Sequence, residues 1–407
     1  MKLYVFMATS ICSIGGGSLY YKNKIKYLEE KGWHVLIFSF VKGKPSLSRL
    51  MSYEDCIMEE LKFPPYLYTK KKRVKILIQV LKKINSEQYN QIIIESNHTP
   101  ASMWGEYIAS QTGAKHFIYA LNEKDNKLGE EYLKFLKFKL ERRELAGIVK
   151  QTVGNLLSSY MVISEQQHYV LGACPGGAIS NVEDVEFSDP RIQEGKINVL
   201  SLGRLEKSYI LPILQEFCDY ANKNMGLKFN LLILGSNFQI EKSIVSMFTD
   251  VKNVNLIFLG SLFPIPLKLL KLVDVNIASS GSAGLTHKFG IPTISVDGND
   301  YRPIGILGYN AHNRLFRGED EPIRDLADLL DLILVKRTVE KNFHIADELY
   351  FPVDFSSHIN FIKSSEQAGI YYDIEKFDTV GNRLISLIGE IIGLNMCNSI
   401  YKKIKRH

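Results

Sequence analysis

Apolar and polar positions along the chain follow a recurring order. "MKLYVFMATSICSIGGG" opens with an apolar run and ends in a glycine turn; Leu19, Ile25 and Leu28 then recur at helical spacing, Gly32 stops the helix, and "HVLIFSF" is a second apolar run. Strand, glycine turn, helix and strand make one βαβ unit. The order returns in "YNQIIIESN" (89–97), a buried strand, "PASMWGEYIASQTGA", a helix ending near Gly113, and "KHFIYALNE", the next strand. "SSYMVISEQQHYVLGACPGGAISN" predicts another strand with a helix beginning near Ser164. The polar stretch "VEDVEFSDPRIQEGK" has no periodicity, which places a domain linker near residues 185–196.

Beyond it the same grammar restarts. "INVLSLGRL" is a strand into a glycine turn, "ILPILQEFCDYANKNMG" a helix, "FNLLILGSN" a strand into another glycine turn, "IEKSIVSMFTDV" a helix, "VNLIFLGSL" a strand and "PIPLKLLKLV" a short helix. Strands apolar from end to end are buried on both faces, as parallel sheets require. The tail "GNRLISLIGEIIGLNMCNSIYKKIKRH" predicts a long amphipathic helix ending in a basic cluster.

Composition narrows the function classes. The 407 residues, 45% hydrophobic, suffice for roughly two or three domains. A net charge of +6 suits anionic ligands or an anionic membrane surface, and argues against a dedicated nucleic-acid binder. Five cysteines at wide, irregular spacings without a CxxC indicate neither a disulfide framework nor a zinc site, and point to a reducing compartment. No run of about 18 uncharged apolar residues suggests a membrane span. The first residues imitate a secretory signal, but the βαβ context favours a buried strand.

The stretch "VDVNIASSGSAGLTHKFGIPTISVDG" (273–298) carries the clearest chemistry. A strand breaks into six small residues that open a short helix, Gly290 stops it, and a second strand follows. Small residues at a helix start leave backbone N–H groups uncovered, and the helix dipole favours an anion there: a phosphate seat. Taken alone, such a loop is better explained by capping and tight packing. In "LSLGRLEKSYI", Arg204 and Lys207 lie just past a strand end in the same half, where they can neutralise a diphosphate. Gly15 to Gly17 give the first half its own small-residue turn, without the spacing of a dinucleotide fingerprint. Asp297 and Asp300 in "VDGND" suit an ordinary turn better than a metal site, and no metal ligands are expected.

Together, the two Rossmann-like halves, the glycine-rich first loop, "GRLEK", "LLILGS", "VNLIFLG" and "GSAGLTHKFGIPTIS" resemble the GT-B glycosyltransferases. Within that class the chain is most similar to the group 1 or family 4-like enzymes that build bacterial surface polysaccharides such as capsules. The resemblance spans nearly the whole chain. It implies an α/β protein of two doubly wound parallel-sheet domains facing a cleft: an acceptor-binding domain over 1–187, a nucleotide-sugar-binding domain over 196–380, and a helix over 381–407 crossing back to the first domain. It implies that Arg204 and Lys207 hold the donor diphosphate, although Lys207 lies closer to the arginine than in the commonest pattern. Ser280, Gly281, Ser282 and Ala283 match the phosphate-facing helix start, Gly15, Gly16 and Gly17 the loop against the donor, and Gly235 and Ser236 the turn near the base. The family's pair of glutamates eight apart is missing, Leu285 standing where the second would be. Thr286 or His287 contacts the nucleotide instead, or the donor sits differently, which leaves retaining and inverting chemistry open.

Sugar transfer needs a stabilised nucleotide-diphosphate leaving group and a hydroxyl nucleophile. For an inverting reaction, His98 and Glu123 rank above Glu95 as the general base, because Glu95 lies where a strand residue would be structural. The donor expected is a UDP- or GDP-sugar without further cofactor, and the acceptor a glycan or lipid-linked oligosaccharide. The basic stretches 68–83 and 401–407 are solvated faces by default, or dock the protein on an anionic membrane. The expected location is cytoplasmic, peripherally on the inner face of the cell membrane. A UDP-amino-sugar epimerase of the same fold and a catalytically silent partner of another transferase are the alternatives.

Overall fold

The computed structural model describes residues 1–12, 15–45, 47–97, 99–121, 128–173, 182–347, 353–365 and 369–397. The chain divides into two compact units, one of residues 1–176 with 352–407, the other of 177–351. Residues 352–380, expected in the second domain, group with the first unit, so the return begins upstream of 381.

The first unit is built on the predicted apolar runs. Strand β1 (Lys2–Ala8) leads through the glycine turn into helix α1 (Gly16–Glu30) and strand β2 (Trp33–Ser39). Helix α2 (Lys70–Ile84), strand β3 (Gln91–Ser96), helix α3 (Ala101–Thr112), strand β4 (Lys115–Ala120), helix α4 (Glu130–Glu141), strand β5 (Leu145–Gly147) and helix α5 (Lys150–Leu157) follow. All five strands are parallel, in the order β2-β1-β3-β4-β5. Between β2 and α2 the chain winds through three short 3-10 turns that put Leu50, Cys56 and Leu61 into the core. No strand forms at 158–164. Met161 and Ile163 pack in the cluster beneath α4 and α5 while Val162 is exposed, and the free edge of β5 is met at Val170 instead. A 3-10 turn at Glu165–Gln167 stands where the helix was expected.

The second unit contains strand β6 (Val182–Glu183), strand β7 (Ile197–Leu202), helix α6 (Ile210–Lys223), strand β8 (Phe229–Leu234), helix α7 (Phe238–Phe248), strand β9 (Val254–Gly260), strand β10 (Ile265–Pro266) and helix α8 (Leu267–Leu272). Strand β11 (Val275–Ala278), helix α9 (Gly281–Lys288), strand β12 (Thr293–Val296), strand β13 (Pro303–Ile306) and helix α10 (Leu326–Leu334) complete it. The main sheet runs β13-β12-β11-β7-β8-β9, parallel except for β13, while β6 pairs with β10. Ile213, Phe217, Leu231, Ile233 and Leu329 lie in its core.

Helix α11 (Ser356–Ser364) and helix α12 (Val380–Ile392) return to the first unit. The α12 helix packs beside Pro65–Leu67, and Thr69 bonds Glu390. The predicted long terminal helix stops at Gly393, whose φ is 83°, and resumes for one turn at 394–397.

Candidate functional site

In the second sheet the strand order reverses between β7 and β11, the neighbours whose following connections leave in opposite directions. Ligands of open α/β sheets bind at the carboxyl ends of strands flanking such a switch. The loop after β7 carries Gly203, Arg204 and Lys207, and the loop after β11 carries Ser279 and Ser280 into α9. A side chain on Gly203 would come within 3.1 Å of the Tyr209 hydroxyl and 3.8 Å of Ser282 Oγ, so these groups are adjacent. Arg204 is 61% exposed, paired with Glu206 at 3.2 Å. Ser280 caps α9 at φ 60°, ψ −132°, a conformation costly for a residue with a side chain. Gly284 N donates to Ser280 O, closing the first turn. The amides of Gly281, Ser282 and Ala283 therefore lie before the first intrahelical bond, as helix geometry requires, and are available to an anion.

Glycine is needed for different reasons at different places. A Cβ on Gly235, at φ 157°, would sit 2.0 Å from Gly203 O, so packing of the β8 turn on the β7 loop demands it. Ser236 beside it bonds Ser261 at 2.9 Å. At Gly16, Gly17 and Gly281 a Cβ would meet nothing within 4 Å among the described residues. Those three are not demanded by packing and leave their helix starts open.

Thr286 and His287 part company. Thr286 is fully buried, with its hydroxyl 2.8 Å from both Asn276 Nδ2 and Thr293 Oγ1, so it holds α9 to the sheet and presents nothing to a ligand. His287 is exposed in the last turn of α9 and packs against Gly308; burial of part of its ring lowers its pKa. Asp297 accepts amides from Asn299 and Arg317, and Asp300 pairs with the Arg317 guanidinium at 2.6 Å, so both carboxylates are engaged in turn structure.

Two neighbours of the α9 start were not singled out from sequence. Burial pushes the Tyr209 hydroxyl up to about 12, against the pull of the Ser279 backbone and the Arg204 charge. Arg314 accepts the Ser280 amide on its carbonyl at 2.5 Å and lays its guanidinium against Gly284. Its loop is organised by Glu321. Burial pushes that carboxyl up, but amides of Gly318, Asn313 and His312 and the Asn313 side chain outweigh it and bring it down to about 2. Tyr209 was legible as an aromatic after "GRLEK"; no local pattern marks Arg314.

In the first unit the sheet reverses between β1 and β3, and Gly15 to Gly17 follow β1. Ser18 closes that turn, accepting from Gly15 N at 3.1 Å. His98 and Glu123 lie outside the described residues. Glu95 is 3% exposed and accepts Tyr4 OH, Tyr20 OH and Lys24 Nζ, each at 2.6 Å, so it is structural as expected. Lys24, also buried, reaches Tyr20 OH at 2.9 Å and His358 Nδ1 at 3.1 Å, saturating its three donors. Burial lowers the Lys24 pKa against the pull of Glu95. Burial and then the Lys24 charge bring His358 to about 2, so its ring is neutral, accepting from Lys24 and donating Nε2–H to Gly172 O. A second buried chain runs from Ser96 through His116 Nε2 (2.8 Å) and Nδ1 to Glu106 (2.6 Å), on which Lys139 also sits. Burial and Lys139 take His116 down to about 4, leaving Nδ1–H for Glu106 and Nε2 to accept from Ser96.

No protein-family model matches the chain, and no curated protein does. Among solved structures, a glycosyltransferase from Rickettsia africae is similar at a TM-score of 0.56 and 15% identity, over 96% of this chain and 98% of that one. Anabaena HepE in complex with UDP and glucose follows at 0.54 and 13%, over 95% and 100%. The lipopolysaccharide outer core galactosyltransferase WaaB gives 0.52 and 13%, over 96% and 100%. The chain has the GT-B fold of these proteins: α/β, with two Rossmann-like parallel sheets.

Proposed function

We propose that the chain is a glycosyltransferase that moves a sugar from a nucleotide diphosphate to a glycan or lipid-linked acceptor in surface polysaccharide synthesis, at the cytoplasmic face of the membrane. The observation that carries this reading is the meeting, at the switch point of the second sheet, of the Gly203–Arg204 loop with the open start of α9. HepE, of the same fold, is a complex with UDP and glucose, which favours a UDP-sugar over a GDP-sugar here.

Chemically, the departing diphosphate develops negative charge as the bond to the anomeric carbon breaks. The amides of Gly281, Ser282 and Ala283 supply fixed donors, and Arg204 and Lys207 supply charge; such preorganised groups stabilise the transition state more than the ground state. Gly235 and Ser236 border the base, with His287, not Thr286, as the remaining polar contact. Gly15 to Gly17 form the small-residue turn at the switch point of the first sheet. In an inverting reaction His98 or Glu123, which follow β3 and β4 in the chain, takes the acceptor proton.

Release of UDP from UDP-glucose, UDP-galactose and UDP-N-acetylglucosamine, assayed with a membrane extract as acceptor source, tests the reading. Release by the wild type that is lost in Ser282→Leu supports it. Binding of nucleotide without release from any donor contradicts transfer and favours the silent partner.

A further inference from the structure

Helix α12 is inside out. Its small residues Ser386 and Gly389 are buried, the latter under Leu394, while Val380, Leu384, Leu387, Ile388 and Ile391 are 76%, 56%, 55%, 48% and 83% exposed. These five fall at i, i+4, i+7, i+8 and i+11, one continuous stripe on one face. A contiguous apolar stripe in water on a folded unit marks an interaction surface. The adjoining α2 helix has the matching chemistry. Its sequence contains no acid, and Lys71, Lys75 and Lys82 are exposed around Val74 and Ile78, themselves 38% and 59% exposed. Arg73 holds Asp378, just before α12, through both guanidinium nitrogens at 3.1 and 3.2 Å, and Thr69 holds Glu390, the one acid of α12. A groove of about 870 Å³ between Lys72 on α2 and Leu394 after α12 is also lined by Glu54, Glu59 and Glu60, so it lies at the border of the cationic surface and is not part of it.

We propose that α12 and α2 form an interfacial docking surface for a bilayer with anionic headgroups, α12 lying in the plane of the interface and the α2 lysines meeting the phosphates. The occupant follows from the charge: the seven cations of α2 outnumber the neighbouring acids Glu375, Asp378 and Glu390, of which Asp378 and Glu390 are already bonded to Arg73 and Thr69, and apolar side chains beside such a cationic helix complement an anionic membrane surface. A helix of 13 residues extends about 20 Å and cannot span the hydrocarbon, and among the described residues no helix is long and apolar enough to cross a membrane. The sequence after α12 continues the charge, with Lys402, Lys403, Lys405 and Arg406. This deepens the membrane element of the proposed function, and its test reads no nucleotide, so its failure leaves sugar transfer standing.

The experiment is sedimentation of the full chain with phosphatidylcholine vesicles containing or lacking about a third phosphatidylglycerol, for wild type, Leu387→Ser/Ile391→Ser and Lys71→Gln/Lys75→Gln. All four positions are exposed, so circular dichroism should be unchanged. The expected result is binding to anionic vesicles only, weakened about tenfold or more by the lysine pair, more so by the serine pair, and falling with salt. Wild type left in the supernatant, or binding indifferent to both variants, overturns it. So does a dimer by light scattering that the serine pair dissociates, since a second copy would then cover the stripe.

Discussion

Replacing Lys24 with Met removes the charge at the centre of the buried network while keeping nearly the volume of the side chain. Glu95 would remain 3% exposed as a carboxylate with two tyrosine donors and no countercharge, and His358 Nδ1 would lose its donor. Deleting one partner of a buried ion pair costs about 3–5 kcal/mol, because the other stays desolvated. Urea unfolding measures it, and the two tryptophans of the chain, Trp33 and Trp104, are both buried in the first unit, so their fluorescence follows that unit alone. With a slope of about 3 kcal/mol per molar, the midpoint should fall by about 1–2 M. Lys24→Met/Glu95→Gln, which also removes the stranded charge, should be more stable than Lys24→Met by about 1 kcal/mol or more. A Lys24→Met midpoint within about 0.3 M of wild type, or a double variant less stable than the single, would refute the reasoning.

Three further outcomes follow from the second unit. Gly235→Ala sets a Cβ against Gly203 O and should cost about 3 kcal/mol or more, read as a lower melting temperature together with weakened nucleotide binding, since the displaced loop carries Arg204. Glu321 has a folded pKa of about 2, below its unfolded value. Its contribution, on the order of 2–3 kcal/mol, is therefore full above about pH 4.5 and is lost as pH falls towards 2; calorimetry should find Glu321→Gln less stable at pH 7 but closer to wild type near pH 2. Arg314→Ala should weaken UDP binding about tenfold by calorimetric titration while leaving the melting temperature within about 2 °C, because the guanidinium is exposed; equal affinity would exclude it from the site.

What the sequence conveys is local. The β1 run, the turn at Gly15 to Gly17 and the α9 start are written in consecutive letters, and the strand and helix periods around them are unambiguous. Glu95 could be assigned to structure because a mid-strand carboxylate has few other fates. Its partners could not be named, since Lys24 is 71 residues away and His358 pairs with Lys24 across 334. Arg314 reaches Ser280 through a loop whose shape depends on Glu321 and carries no periodic signal. Thr286 and His287 are neighbours in sequence, one buried and one exposed on a short helix, so only packing separates them. In α12 the amphipathic period was legible, but the period alone does not say which face meets the protein. The missing strand at 158–164 shows the same limit, for alternation needs a free strand edge to become a sheet.

In the proposed function the Gly203–Arg204 loop and the α9 start form one diphosphate seat. Titration calorimetry of UDP into wild type, Arg204→Ala and Ser282→Leu tests it most directly. One site per chain is expected, with an affinity lower by about 2 kcal/mol or more in Arg204→Ala and no heat of binding in Ser282→Leu, melting temperatures being preserved. UDP binding of equal strength in all three proteins would contradict it.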